Sequence, residues 1–571
     1  MIKKYWPLIV LIIYFALFYF NFISFVTADL GRHIVNGREI LIKVVEANTK
    51  TRIDVNWVQR FSEMQVLTRN YYSYSQPDFA FPNHHWLFGV IVYLIEHSFG
   101  FSGLTLMNLS FYTGAFIFAL LLAKKKAGIK FTVIAGLIAI PLITARTEVR
   151  PESLSLLMFS GFLFCFDLIK EYFDQKRKSN QNTKLSKKIF LPVITALLLI
   201  NQIVWTNSHL FFIFGPFISG MFLIDTLLKN ILAKKKGKLI DNAIFSNQIM
   251  FFFLLTLSLF TVTIINPHGI DGSLNPFHIF DNYGYKVAEN QSTWFMIDIK
   301  NQIAKHSYFI IVAIVGLASF LGTSRTEKTT GKIRKFFLDN FLSLTWLLTF
   351  GIMTQFINRI SSFYGIVLIP ILAQNLSLIY TNHHLKLNKL FNNTVFIMFS
   401  SPIVIGVIIL MISSKLMIPK INNFGLGLTP EMNNSADFFT KAKLSGPIFN
   451  NYDLGGYLVY YLFPEQKVFV DNRPESYSED FFKNEYIAAQ ENEEAWKTVS
   501  EKYNFETIYY FRLDQTDWAQ SFLYRRVVDP NWTPVYVDSY ILIFVKNNER
   551  NKDIIKKYEL PKEIFSLTEL K

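Results

Sequence analysis

Five groups of residues have the types and spacing to do chemistry. Asp29 stands where the first apolar stretch ends, with Arg32 and His33 close behind. A carboxylate at a membrane boundary is partly desolvated, which raises its proton affinity and suits a base, although position alone favours a helix-end residue that simply faces water. Arg146, Glu148, Arg150 and Glu152 crowd seven positions between two apolar stretches. If that stretch is helical, Arg146 and Arg150 share a face and suit a phosphate or diphosphate, the alternative being an Arg–Glu cluster that only joins two helices. Asn83-His84-His85-Trp86, Trp205 to His209, and Asn266-Pro267-His268 put histidines at apolar-segment ends. They can bond a sugar or phosphate, or simply sit among headgroups, and zinc would need a convergent carboxylate. Arg359 follows Asn358 at a fourth boundary, where it can clamp a lipid phosphate or snorkel to headgroups. The fifth group is Asn451 to Tyr457 with Val470 to Glu475, whose charges fit a site but fit capping and turn chemistry better.

These residues sit on a frame that composition defines. The 571 residues are 51% hydrophobic and only 18% charged, with 58 Phe and 27 Tyr. A soluble surface of this size needs more charge. The apolar residues form blocks, among them Leu8–Phe20, Phe131–Ile143, Ile189–Ile200, Met250–Ile265, Phe309–Leu321 and Val395–Ile412. Each approaches, with its flanks, the ~20 residues that span hydrocarbon as a helix. The net charge of +14 gathers in clusters between the blocks, so it reads as the cytoplasmic side of a membrane protein and not as a nucleic-acid surface. The lone Cys165 lies in an apolar block, which excludes a disulfide framework.

Charge also sets orientation. Lys3 and Lys4, Lys124–Lys130, Lys170–Lys188, Lys234–Lys238, Arg325–Lys335 and Lys386–Lys389 fall inside. Thr144–Glu152, Thr206–His209, Asn266–Lys300 and Asn358–Ser361 then fall outside. The first apolar block reads as an uncleaved transmembrane helix. The stretches 86–99 and 103–123 fit poorly, because only an odd number of crossings connects His85 to Lys124; a half-crossing at 86–99 would solve this. Eleven to thirteen helices result, the last at 392–413. The architecture expected is an α-helical polytopic membrane domain over 1–414, with a long first outer loop at 28–85, followed by a small extracytoplasmic α/β domain over 415–571. The loop is rich in aromatic residues, including Trp57, Tyr72, Tyr74 and Phe81, and amphipathic helices on the membrane surface are expected there. In the last domain, strands are predicted at 447–450, 467–470, 507–511, 535–538 and 540–545. Helices are predicted at 435–443, 455–463, 479–490, 492–503 and 518–526.

The local motifs, in order, are Asp29-Leu30-Gly31-Arg32-His33-Ile34-Val35-Asn36-Gly37, Tyr72-Ser73-Tyr74, His84-His85-Trp86-Leu87, Arg150-Pro151-Glu152, Trp205 to His209, Asn266-Pro267-His268-Gly269, and the late Gly-Gly-Tyr-Leu and Asp-x-Arg. With the architecture, this order resembles the GT-C superfamily of polytopic membrane glycosyltransferases, in a bacterial branch. The resemblance implies a sugar donor carried on a polyprenyl phosphate or diphosphate, and an inverting transfer at the outer face of the cytoplasmic membrane. It implies Asp29 as base, with Arg146 and Arg150, or Arg359, holding the donor phosphate. Arg32, His33, His85, Glu148 and His209 complete the expected substrate-binding set. Expected partners are a lipid-linked sugar donor, membrane lipids and a glycan, lipid or protein acceptor, with no nucleic acid. Many relatives have two acidic residues at the first-loop site, whereas here Ala28 precedes Asp29 and Glu39 comes ten residues later. A divalent metal is left open. Two competing functions remain at this level: a transporter or flippase of a lipid-linked intermediate, and a non-catalytic membrane assembly protein.

Overall fold

Lysines and acidic residues pair at one end of a helical bundle, while arginines, histidines and a second domain gather at the other. The computed structural model describes residues 2–50, 61–178, 189–235, 242–279, 284–285, 287, 290–299, 303–321, 323, 336–391 and 417–565. Trp57, the helix expected at 392–413, and the inner loops 181–188 and 325–335 lie outside the described residues. The membrane part is built from α1 (Ile2–Ala16), α2 (Leu30–Lys50), α3 (Trp86–Ile143), α4 (Pro151–Lys178), α5 (Phe190–Thr206), α6 (Phe214–Lys235), α7 (Asn242–Thr261), α8 (Gly269–His278), α9 (Ile303–Ala318), α10 (Phe341–Phe356) and α11 (Ser361–Phe391). Five stretches are long and apolar enough to cross a bilayer: Trp86–Ile143, Pro151–Lys176, Leu210–Ile231, Ser246–Ile264 and Asn358–Asn382. Four shorter apolar helices, Lys4–Ala16, Phe190–Thr206, Ile303–Ala318 and Phe341–Phe356, stand with them. The chain is a polytopic helical membrane protein. At the lysine-rich end, Lys125 meets Asp167 at 2.7 Å, and Lys229 meets the buried Asp225 at 2.7 Å.

The first apolar block ends its helix at Ala16. Residues 21–23 instead form bridges with the chain after residue 417, Asn21 with Phe424 and Ile23 with Leu428.

The 58-residue α3 is three helices, broken at Gly100 (φ 62°) and Gly128 (φ 73°). Both glycines hold a left-handed backbone that a side chain would strain. This division bears on the odd-crossing problem. His85, just before the first segment, borders a cavity shared with the C-terminal domain. Near the other end of that segment, Glu96 accepts a hydrogen bond from Tyr460 of the same domain at 2.9 Å. Beyond Gly100, Thr105 Oγ1 accepts the Gly427 amide at 3.2 Å. The segment 86–99 therefore touches the C-terminal domain near both its ends, and 101–127 leads from there to the lysine cluster.

The C-terminal domain has α12 (Asn434–Lys441), β1 (Ile448–Asn450), α13 (Gly455–Leu462), α14 (Glu493–Tyr503), β2 (Thr507–Phe511), α15 (Ala519–Val528), β3 (Trp532–Val537) and β4 (Ile541–Lys546). Its sheet order is β1-β2-β4-β3, with β1 parallel to β2 and the other pairs antiparallel. Phe449, Phe469, Trp496, Phe505 and Phe522 fill the core on one face of this sheet. Helix and strand positions follow the sequence expectation closely, with one exception. Residues 467–470 are not a sheet strand. Val468 pairs with the first outer loop: its N–H donates to Tyr72 O and its carbonyl accepts the Tyr74 amide, both at 3.1 Å.

The stretch 28–85 differs from expectation for the same reason. Leu30–Lys50 is a helix, but residues 70–76 are docked on the C-terminal domain. Ser73 Oγ donates to Phe469 O at 3.0 Å, Tyr74 OH to Ile448 O at 2.8 Å and Asn70 Nδ2 to Ser476 O at 2.9 Å. Tyr72 and Phe81 are buried there. Tyr72, Tyr74 and Phe81, which read as part of a headgroup belt, are an interface between this stretch and the C-terminal domain.

Candidate functional site

Asp29 immediately precedes α2, and its carbonyl accepts the His33 amide at 3.2 Å. The start of α2 is pinned by contact with α13. A Cβ added at Gly456 would lie 2.6 Å from Ala28 O and 3.2 Å from Asp29 Cα, so only glycine lets the domain come this close. Behind Gly456, Asn472 Oδ1 accepts its amide at 2.6 Å. The Gly-Gly-Tyr-Leu motif thus brings the C-terminal domain onto the Asp29 loop.

Residues 144–150 are not helical; α4 starts at Pro151. The expected shared helix face of Arg146 and Arg150 is therefore absent. Arg150 Nε instead lies 3.7 Å from Asp29 Oδ1. Arg146 Nη1 lies 3.4 Å from Glu152 Oε1, and Arg359 Nη1 lies 3.9 Å from the same oxygen.

The histidine motifs resolve into a ring cluster with a hydrogen-bonded base. The His84 and His85 centroids are 4.0 Å apart, His85 and His209 5.3 Å, and His33 and His85 5.4 Å. Trp205 Nε1, a donor only, gives its hydrogen to Ser155 Oγ at 2.8 Å, and Ser155 Oγ lies 2.8 Å from His209 Nδ1. Donation from serine to Nδ1 satisfies all three groups and leaves the His209 proton on Nε2. Asn207 explains the rest of its motif: Oδ1 accepts from Trp86 Nε1 and Nδ2 donates to Ile265 O, each at 2.8 Å. In Asn266-Pro267-His268, Asn266 Oδ1 caps the His268 amide at 2.8 Å, a turn that launches α8.

These elements enclose a cavity of about 800 Å³. Asp29, Arg32, His85, Arg150, His209 and Arg359, all expected from sequence, line it. Arg146 and Glu148 do not; they border a small adjoining pocket that shares Arg150, Glu152 and Arg359 with the cavity. His33 is buried behind Asp29, its Nε2 3.5 Å from Oδ2. One wall is apolar, with Phe211, Ile213, Phe214, Ile279, Met353 and Ile357. Another part of the lining is the C-terminal domain, through Tyr452, Asp453, Asn472, Glu475, Asp514 and Thr516. The fifth sequence group, read mainly as turn chemistry, therefore reaches the cavity as well.

Electrostatics separates the two walls. Burial opposes ionisation of Asp29, but the Arg150 charge and the His33 hydrogen bond outweigh it and hold the carboxyl well below its ordinary range. The expectation of a raised proton affinity is thus reversed: Asp29 is a firm anion. Burial, aided by Arg32, lowers His33 to about 4, and burial lowers His209 to about 4 against the pull of Glu152. Burial likewise lowers His84 to about 3 and His85 well below the usual value. The rings are neutral imidazoles at pH 7, and His33 Nε2 sits between Asp29 Oδ2 at 3.5 Å and Arg32 Nη2 at 3.4 Å. Glu475 goes the other way, because burial raises it against the opposing pull of Arg32 and Arg473.

Glu475 was legible only as part of Asp471-Asn472-Arg473-Pro474-Glu475. Its loop is fixed by a buried pair in which Arg473 Nε donates to Asp471 Oδ1 at 2.8 Å and Nη2 to Oδ2 at 2.5 Å. Arg473 also donates to Asn70 Oδ1 at 2.7 Å and covers the Phe81 ring at 4.8 Å. The signal in the sequence was a charged run that follows directly on the apolar residues 468–470. Among the described residues, no three His, Cys, Asp or Glu side chains converge to hold a metal ion.

No family profile and no curated protein matches the chain. Among solved structures, it aligns with the crystal structure of the Archaeoglobus fulgidus oligosaccharyltransferase complex with Zn and sulfate, at 12% identity and a TM-score of 0.46. The alignment covers 82% of this chain, which spans 65% of the length of that one.

Proposed function

We propose that this protein is a membrane glycosyltransferase that moves a sugar from a polyprenyl-phosphate-linked donor to an acceptor on the outer face of a bacterial cytoplasmic membrane. The observation that carries the reading is the meeting of Asp29 and Arg32 with Arg150 and Arg359, from three separate parts of the chain, in one cavity with an apolar wall. In this reading the arginines hold the donor phosphate, the leaving group, where preorganised cations stabilise the charge that develops as the sugar bond breaks. Neutral His85 and His209 add hydrogen bonds without adding charge. The apolar wall receives the first units of the lipid. Asp29, ionised and fixed, accepts a hydrogen bond from the acceptor hydroxyl, and attack from the face opposite the phosphate inverts the anomeric carbon.

Placement at one end of the bundle supports a transferase over a carrier, since carriers bind at the membrane midplane between broken helices. The test is the glycolipid and polysaccharide profile of a deletion strain complemented with wild type or Asp29→Asn. Wild type should restore a missing glycan and Asp29→Asn should not. A profile identical in the deletion and parent strains rejects the assignment.

A further inference from the structure

Transfer to a hydroxyl releases a proton, and the cavity holds carboxylates of two kinds. Asp29 and Glu152 face arginines at 3.7 and 3.9 Å. Asp514 is committed to structural hydrogen bonds, accepting Asn451 Nδ2 at 3.0 Å and the Thr516 amide at 2.9 Å. Glu475 makes no ion pair among the described residues and lines the cavity from the C-terminal domain. It stands on a one-turn helix, Pro474–Ser476, directly after the Asp471–Arg473 clamp. A rigid, unpaired carboxylate facing the reaction space is what a proton acceptor requires.

We propose that Glu475 receives the proton of the acceptor hydroxyl while Asp29 holds and orients that hydroxyl. This rests on the glycosyltransferase reading. The hydroxyl O–H bond breaks as its oxygen bonds to the anomeric carbon. The bond from that carbon to the phosphate oxygen breaks with its electron pair staying on the phosphate. The proton rests on Glu475 and passes to water when the product leaves. The C-terminal domain is then half of the catalytic centre.

Surroundings support the division of labour. The groups acting on Glu475 are Arg32 on α2 and Asp471 and Arg473 on its own loop, while Asp29, Arg150 and Asp453 face the same space. Burial outweighs the two arginines, so Glu475 binds a proton more readily than an ordinary glutamate, whereas Asp29 binds one less readily.

Two measurements on the full chain in lipid nanodiscs test this. Infrared pH titration should find a protonated-carboxyl band that persists above the usual glutamate range, is lost in Glu475→Gln and is kept in Asp29→Asn. Transfer is measured with membranes of the deletion strain as the source of donor and acceptor. Glu475→Gln should lower the rate by about 10²-fold or more and remove the acid limb of the pH profile. Asp29→Asn should lower the rate and keep the limb. Glu475→Asp, which retains a carboxylate, should recover part of the rate and guards against a folding defect. A wild-type rate in Glu475→Gln, or an acid limb that survives there and vanishes in Asp29→Asn, overturns the proposal. Wild-type protein that transfers nothing overturns the glycosyltransferase reading, and the proposal with it.

Discussion

Replacing Arg150 with Met should turn Asp29 from a stabilising anion into a destabilising one, and the change should depend on pH. The two groups are 3.7 Å apart, with side-chain exposures of 21% and 17%. At an effective dielectric of about 20, full charges at that distance attract by about 4 kcal/mol, which residual solvent screening trims to about 2–3 kcal/mol. In the wild type, the depressed Asp29 contributes stability above the ordinary carboxylate range, lost only as acid protonates the folded carboxyl. In Arg150→Met, burial acts with much less opposition. The folded carboxyl then binds protons more readily than the unfolded one, and stability falls as pH rises through the carboxylate range. The gap between wild-type and mutant melting temperatures, followed by intrinsic fluorescence in nanodiscs, should be smaller near pH 4.5, where the mutant carboxyl is protonated, and widen by pH 7.5. Adding Asp29→Asn to Arg150→Met should recover most of the loss at pH 7.5, because the amide carries no charge to desolvate. The cycle should give a coupling of about 2 kcal/mol. A melting gap that does not change with pH, or a coupling below about 0.5 kcal/mol, would refute the electrostatic account of Asp29.

Further perturbations follow from the same structure. Arg473→Met leaves Asp471 buried and uncompensated, which should cost about 3–5 kcal/mol and expose the C-terminal domain to limited proteolysis; Arg473→Lys should not rescue it, lacking the two-pronged geometry. Gly456→Ala places a Cβ 2.6 Å from Ala28 O, so the domain must move off the Asp29 loop, with a lower melting temperature and about 10-fold or greater loss of transfer. Arg359→Gln should weaken binding of polyprenyl phosphate by about 10-fold, measured by native mass spectrometry, whereas Arg146→Gln should change it less because Arg146 borders only the side pocket.

Much of this arrangement was legible in the chain before folding. Helix spans follow from apolar blocks, because hydrocarbon leaves no other state for the backbone. The lysine clusters put Asp29, His85, Arg150, His209 and Arg359 on one side, and the structure brings them to one cavity. Three things were hidden. Arg146 and Arg150 lose their shared face because Pro151 starts α4, so the residues before it are not helical. The docking of Tyr72 and Tyr74 on Val468 joins residues almost 400 positions apart, and no local pattern encodes such a pairing. The proton affinity of Asp29 depends on one guanidinium that only tertiary structure supplies; the criterion of a desolvated carboxylate was sound, but it describes Glu475.

The stitching of Tyr72–Ser75 to residues 468–469 has a consequence for biosynthesis. The N-terminal loop emerges from the ribosome long before its counterpart exists, and every apolar helix between them must be inserted first. Until then the backbone groups at Tyr72 and Tyr74 lack their partners, and one wall of the cavity is missing. Completion of the last domain therefore reports that the whole chain has been threaded correctly, and an incompletely translated or misinserted protein lacks a complete cavity around Asp29.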